Sequence, residues 1–242
     1  MTKIYDTIIW GASLGGIKQA IELKEKGQKV LLCGRFGFPG GKATESLASL
    51  YAADEFTANE FHIDFLTRAE KLKHGVLFRN RQWILMHPEA VKRVCWQLIE
   101  QHDLELLFHV TPLSILHDGE LMDFELFGRE GKIKLTAGNI IDLSDDQKLR
   151  YMDGHAVNQN LLINAFFTGG LPFDLPGFNT TRRFETPIGT YVSHSAKNVA
   201  YGDVEKIFNR ELDRLSKEPW RKHKARILMV PVYPEIQPVE SE

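Results

Sequence analysis

Between Trp10 and Ile17 the chain runs Gly11-Ala-Ser-Leu-Gly-Gly16, a turn whose residue types admit two chemistries. Glycines let a main chain come close to a phosphate. A helix opening at such a turn adds unpaired N–H groups and a partial positive charge. On that reading Gly11, Ser13, Leu14, Gly15 and Gly16 hold a pyrophosphate. The same stretch spells G-x-S-x-G, the elbow that presents a nucleophilic serine in some hydrolases. Ser13, Asp142 or Asp174, and His194 supply a triad in a permitted order. Against it, such elbows follow several earlier strands, whereas only ten residues precede Gly11, and no HGGG-type oxyanion segment is present.

The elements that must position this turn favour the phosphate reading. Ile4 to Trp10 is an apolar strand, and Ile17, Ala20, Ile21 and Leu23 mark a helix ended by Lys24-Glu-Lys-Gly27. Lys29 to Cys33 is a second strand. Strand, glycine-rich turn, helix and strand within about thirty residues form a dinucleotide-binding βαβ unit. The G-x-G-x-x-G fingerprint is met at Gly11 and Gly16 but carries Ser13 in the middle. Gly34 stands where an acid for ribose hydroxyls is expected, followed by Arg35, a pair that leaves room for a 2′-phosphate and makes NADP a lesser alternative. A glycine-rich loop, Phe36 to Glu45, comes next. Residues 58 to 73 read as a helix, Gln82 to Met86 as a strand, and Pro88 opens another helix striped by Val91, Val94, Cys95, Leu98 and Ile99. Strands follow over Leu104–Val110, Leu113–His117, Leu121–Phe127, Lys132–Thr136 and Gly138–Asp142.

Composition narrows the class. With 242 residues, 43% of them apolar, and a formal net charge of -2, the chain reads as a soluble globular protein with no nucleic-acid or membrane partner. No apolar run nears the roughly 20 residues of a membrane span, and the N-terminus enters the first strand without room for a signal peptide. Cys33 and Cys95 read as buried free thiols, which makes the cytoplasm the expected location. The histidines lack metal-ligand spacing, so no metal is expected.

Several motifs in order resemble the FAD-dependent oxidoreductases, in particular the FAD-binding half of glutathione-reductase-like flavoproteins. Gly37-Phe-Pro-Gly-Gly-Lys-Ala-Thr44 is similar to the family's G-x-L-G-G-x-A-T loop, His87-Pro-Glu-Ala-Val-Lys-Arg93 to its D-P-E-A-L-K-R helix start, and Gly138 to Asp142 to its returning strand. The resemblance covers roughly residues 4 to 150. It implies an α/β fold: an FAD/NAD(P)-binding, Rossmann-like parallel sheet with an antiparallel β-meander crossover and a shortened second α+β region. The expected domains are 1–150, with a helical insertion over 50–100, a partial substrate-domain-like region over 151–233, and a loose tail from 234 to 242. It also implies FAD as cofactor and a small-molecule substrate, with Gly40, Gly41, Lys42, Ala43 and Thr44 near the flavin.

Departures from the family fall on cofactor-contacting positions: Ser13, Gly34, and Leu143-Ser144-Asp145-Asp146 in place of A-T-G-D. Asp145 replaces the glycine beside the phosphates, and a carboxylate there opposes a pyrophosphate by about 1 to 4 kcal/mol. The family's C-terminal segment that closes over the flavin has no evident copy. Two functions are therefore carried forward, with no catalytic residue assigned to either. One is an FAD-dependent oxidoreductase of unknown substrate, its site completed in some arrangements by a partner chain. The other is a cofactor-free relative acting as a binding or accessory subunit. Returning glutamate to 34 and glycine to 145 is expected to recover flavin affinity. In the last third, Arg182-Arg183 is a candidate for an acidic substrate.

Overall fold

The computed structural model describes residues 3–146, 148–152, 158–169, 171, 179–217 and 224–238. In chain order the elements begin β1 (Ile4–Trp10), α1 (Leu14–Glu25), β2 (Val30–Gly34), α2 (Lys42–Glu45), β3 (Leu50–Ala52), α3 (Glu60–Glu70), β4 (Val76–Arg79), β5 (Trp83–Met86) and α4 (Pro88–Gln101). They continue β6 (Glu105–Phe108), β7 (Thr111–Asp118), β8 (Leu121–Gly128), β9 (Gly131–Asp142), α5 (Lys148–Met152) and β10 (Asn158–Thr168). The last are β11 (Thr180–Thr186), β12 (Gly189–Ala200), α6 (Val204–Lys217), β13 (Arg226–Met229) and β14 (Glu235–Pro238). Two compact units result, residues 1–41 with 92–155 and residues 42–91 with 156–242, the division falling inside α4.

The first unit holds a six-stranded sheet in the order β6-β2-β1-β9-β8-β7. β6, β2, β1 and the second half of β9 are parallel, in the registers Leu107↔Cys33, Ile9↔Leu32 and Ile9↔Ile141. β7, β8 and the first half of β9 form an antiparallel meander. This is the α/β arrangement expected from the sequence. The strands expected over Lys132–Thr136 and Gly138–Asp142 are one continuous strand, because Gly138 adjoins β1 instead of breaking the ladder. A Cβ at Gly138 would sit 3.2 Å from the Asp6 carbonyl oxygen. β2 is buried along its whole length, as a strand covered on both faces must be. The core is made by Ile8, Trp10, Leu31, Phe124, Leu126 and Leu135, with Trp10 edge-on to Phe124 at 6.3 Å.

The second unit pairs β11-β12-β10-β13, with β14 also on β10, and carries a separate sheet β3-β5-β4. The stretch read as a helical insertion thus contains strands as well as α3. Alternation along β10 serves two cores. Ile163, Ala165 and Phe167 pack with Phe208 and Leu215 of α6, whereas Phe166 packs with Tyr191, Leu47, Leu77 and Leu85. The loose tail expected from 234 is corrected at its start: Glu235–Pro238 is a strand on β10, and Glu235 and Ile236 are buried there. Residues 239–242 lie outside the described residues, as does most of the turn-rich Gly169–Gly177 stretch.

Candidate functional site

The turn after β1 is built from glycines that no other residue can replace. Gly11 has φ +111°, a backbone conformation that disfavours side chains, and a Cβ there would run into the Leu143–Ser144 peptide. A Cβ at Gly16 would strike the carbonyl oxygen of Gly11, so α1 lies directly against its own strand. Ser13 is the N-cap of α1: its Oγ accepts from the Gly16 N–H at 3.0 Å and donates to the Leu143 carbonyl at 2.9 Å. Leu14 and Gly15 keep first-turn N–H groups that have no acceptor within the helix. Serine in the middle of the fingerprint therefore tightens the turn and ties it to the segment after β9.

That segment is held at nearly every residue. Leu143 N–H donates to the Trp10 carbonyl at 2.7 Å. Asp142 Oδ1 accepts from Ser144 N–H at 2.9 Å and Ser144 Oγ at 2.6 Å, and its Oδ2 accepts from Leu149 N–H at 3.1 Å. Asp146 Oδ1 accepts from Lys148 N–H at 3.2 Å, and its Oδ2 is 4.0 Å from Arg35 Nη1. Burial pushes the Asp146 carboxyl above the usual carboxylate range, against the opposing pull of Ser144 and Arg35. Between these anchored neighbours, Asp145 directs its carboxylate at Gly41. A Cβ on Gly41 would collide with Asp145 Oδ2 and would lie 2.8 Å from Ser13 Cβ. Gly41, at φ +54°, Ser13 and Asp145 thus converge on one point. Gly40 N–H donates to the Ala12 carbonyl at 2.8 Å and closes the loop onto the turn.

At the end of β2, Gly34 faces the Phe108 ring. A Cβ on Gly34 would sit 2.9 Å from Cδ1 and 3.1 Å from Cε1 of Phe108, itself edge-on to Trp96 at 5.8 Å. The space for a ribose-binding acid is filled by an aromatic side chain 74 positions away, which no local motif could reveal. Arg35 lies over the Phe36 ring, Phe36 stacks on Phe38 at 5.7 Å, and Lys92 covers Phe38 at 4.7 Å.

The expected site residues divide between the units. Gly11 to Gly41, Ser144 and Asp145 lie in the first, and Lys42, Ala43 and Thr44 form the start of α2 in the second. In the second unit Ala43 and Thr44 are buried, and the Glu45 carbonyl accepts from Val232 N–H at 2.9 Å and Tyr233 N–H at 3.1 Å. Arg182 and Arg183 are not a free basic pair: Arg182 reaches the buried Glu235 at 3.4 Å, and Arg183 bonds Glu185 and the Leu171 carbonyl. The triad alternative finds its members engaged elsewhere. Ser13 donates to Leu143, Asp142 holds Ser144 and Leu149, and His194 accepts from Asn179 N–H at 2.9 Å while facing Glu211 at 3.3 Å. Asp174 lies outside the described residues. Among the described residues no group of three or more His, Cys, Asp or Glu is placed to hold a metal ion, and no helix is long and apolar enough to cross a membrane.

Residues 6–160, well over half of the chain, match the family described as FAD dependent oxidoreductase, and the chain belongs to that family. Its fold is similar to that of solved hydroxylase and monooxygenase structures. It is 15% identical to the anhydrotetracycline hydroxylase OxyS from Streptomyces rimosus, with a TM-score of 0.58 over 81% of this chain and 46% of that one. It is 14% identical to CabE, an aromatic hydroxylase from angucycline biosynthesis, with a TM-score of 0.60 over 97% and 53%. The p-nitrophenol 4-monooxygenase PnpA from Pseudomonas putida gives 14% identity and a TM-score of 0.60 over 98% and 68%. The chain spans about half the length of the first two. No curated protein sequence is significantly similar to it.

FAD is the cofactor that goes with this family. The turn fits it, because Gly11 and Gly16 allow the close approach that a pyrophosphate requires and Leu14 and Gly15 carry helix-terminal N–H groups with no acceptor within the helix. At the second strand Gly34 offers no acid to the ribose. At Gly41 one side chain, Asp145, stands against an anion.

Proposed function

We propose that this chain is the FAD-dependent oxidoreductase core of a protein that acts on a small-molecule substrate. The carrying observation is the β1–α1 turn, where Gly11 and Gly16 occupy positions closed to any side chain and α1 begins directly beyond. Gly11, Ser13, Leu14, Gly15 and Gly16 would hold the pyrophosphate, Arg35 would serve the adenosine end, and Gly40 and Gly41 would lie along the flavin. The flavin, when bound, supplies the redox chemistry, and the chain supplies placement and electrostatics. Cytoplasmic residence belongs to the same proposal, supported by Cys33 and Cys95 as buried free thiols. So does a partner chain that completes the site.

A second reading, a cofactor-free relative serving as an accessory subunit, is favoured by the carboxylate of Asp145 at Gly41 and Ser13. The two part on one experiment: the visible spectrum of the purified chain, flavin release on denaturation, and titration with FAD. Flavin bands or saturable FAD binding support the first reading. A colourless chain that ignores added FAD rejects it.

A further inference from the structure

We propose that the cavity between the end of β6 and the β8–β9 hairpin is a second small-molecule site, one that takes an apolar, aromatic carboxylate. The cavity measures about 710 Å³, within the range of sites for small organic ligands. Leu107, Phe108, Val110 and Ile133 give it apolar walls, and the exposed Arg129 and Lys132 stand at its rim. None of the residues assigned to the pyrophosphate, the adenosine end or the flavin lines it. The site is thus independent of the FAD reading.

The walls are fixed by the backbone. At the exit of β6, His109 holds φ +57°, a left-handed conformation that few residue types adopt, and Val110 N–H donates to the Gly34 carbonyl at 3.3 Å. The His109 ring fills the space that a Gly37 side chain would need, which closes the cavity towards the loop after β2. On the hairpin, Gly128 pairs with Gly131 and leaves Arg129 and Glu130 as a two-residue turn. A Cβ on Gly128 would sit 3.2 Å from both Val110 Cγ1 and Ile133 Cδ1, so glycine lets the hairpin settle onto the apolar wall. The charges at the rim, in contrast, are free. Among the described residues the side chains of Arg129 and Lys132 make no hydrogen bond or ion pair, whereas Lys134, two places along β9, is paired with Asp123 at 2.8 Å. Glu130 is the one carboxylate in the lining, and among the described residues it too has no partner. Two cations against one carboxylate, above apolar walls, suit a flat hydrophobic body with a single anionic end.

The test is calorimetric titration of the full chain with naphthoate, and with naphthylmethanol as its uncharged counterpart, joined to hydrogen exchange by mass spectrometry. Naphthoate should bind at one site, about tenfold or more tightly than the alcohol, and should slow exchange at 107–110 and 128–133. Arg129→Glu combined with Lys132→Glu alters two exposed side chains, and circular dichroism establishes that the variant is folded. It should bind naphthoate about tenfold or more weakly and the alcohol unchanged. Glu130→Gln should tighten naphthoate binding. Titration repeated in the presence of FAD should return the same affinity. Protection confined to other segments, equal binding by the charge-reversed chain, or no binding by the unaltered chain would overturn the site. Loss of naphthoate binding on adding FAD would make the cavity part of the dinucleotide site, which overturns a second site while the FAD reading stands.

Discussion

Asn164 is fully buried on β10 and uses its whole amide. Its Nδ2 donates to the Ser46 carbonyl at 2.9 Å and to Glu235 Oε2 at 3.1 Å, and its Oδ1 accepts from Ser193 Oγ at 2.5 Å. Through these bonds one side chain joins the residues just after α2 to β12 and β14. Asn164→Leu keeps the volume and removes all three bonds. Glu235 retains Arg182 at 3.4 Å and Gln237 at 3.1 Å, and Ser193 has Tyr191 Oη within 3.5 Å, so the Ser46 carbonyl takes the largest loss. At about 1 to 3 kcal/mol for each buried group left unsatisfied, and with two of the three partly rescued, the expected cost is about 3 to 5 kcal/mol. Asn164→Asp is worse at neutral pH. It sets a second carboxylate near Glu235, a repulsion of about 5 kcal/mol at an effective dielectric of about 20. That pair holds a proton more tightly folded than unfolded, so the deficit should ease as the pH is lowered. Hydrogen exchange by mass spectrometry reads the second unit without assuming a single unfolding transition. Exchange should accelerate in β10, in β12, and at the Val232 and Tyr233 amides that bond Glu45. A loss below about 1 kcal/mol, or acceleration confined to β10, would show that the network does not hold this segment.

Two further outcomes follow from packing and charge. Gly34→Glu should lower the melting temperature by displacing Phe108, at an overpacking cost of about 1 to 3 kcal/mol, and should add no FAD affinity by itself. Adding Phe108→Ala should restore the melting temperature in part, and an unchanged melting temperature for Gly34→Glu alone would refute the contact. Burial lowers the His194 pKa below 6.5, against the pull of Glu211, so its contribution to stability is present above pH 6.5 and fades as the pH falls through the folded value. Burial raises Glu211, but Arg210, Arg214 and His194 outweigh it and leave the carboxyl below 4.5, so its contribution is present above pH 4.5 and fades with further acidification. Denaturant midpoints of the second unit between pH 8 and pH 4 should therefore start to fall near 6.5, and His194→Gln should reduce that first decline, the remainder belonging to His87, whose pKa burial also lowers.

What the sequence made legible was set by local constraint. Gly11 and Gly16 are required by contacts within the turn itself or with the strand sheet that any βαβ unit must build, so the pattern carried the phosphate reading without the structure. Gly138 misled, because glycine reads as a strand breaker unless one knows that β1 lies alongside it. The tail misled for the same reason: Pro234 and Pro238 suggest a loose end, but Glu235 is claimed by Asn164 and Arg182, both more than 50 positions earlier. The carboxylates show where such reading stops. By type alone Asp145, Asp146 and Glu235 are three surface charges. One closes on Gly41, one is half-buried beside Arg35, and one anchors a strand, and each fate is decided by a partner remote in the chain. Motif order set Asp145 at the position where the resemblance implies phosphates. What it lacked was Gly41 and Ser13 meeting there, a juxtaposition set by the loop after β2 folding back onto the β1–α1 turn.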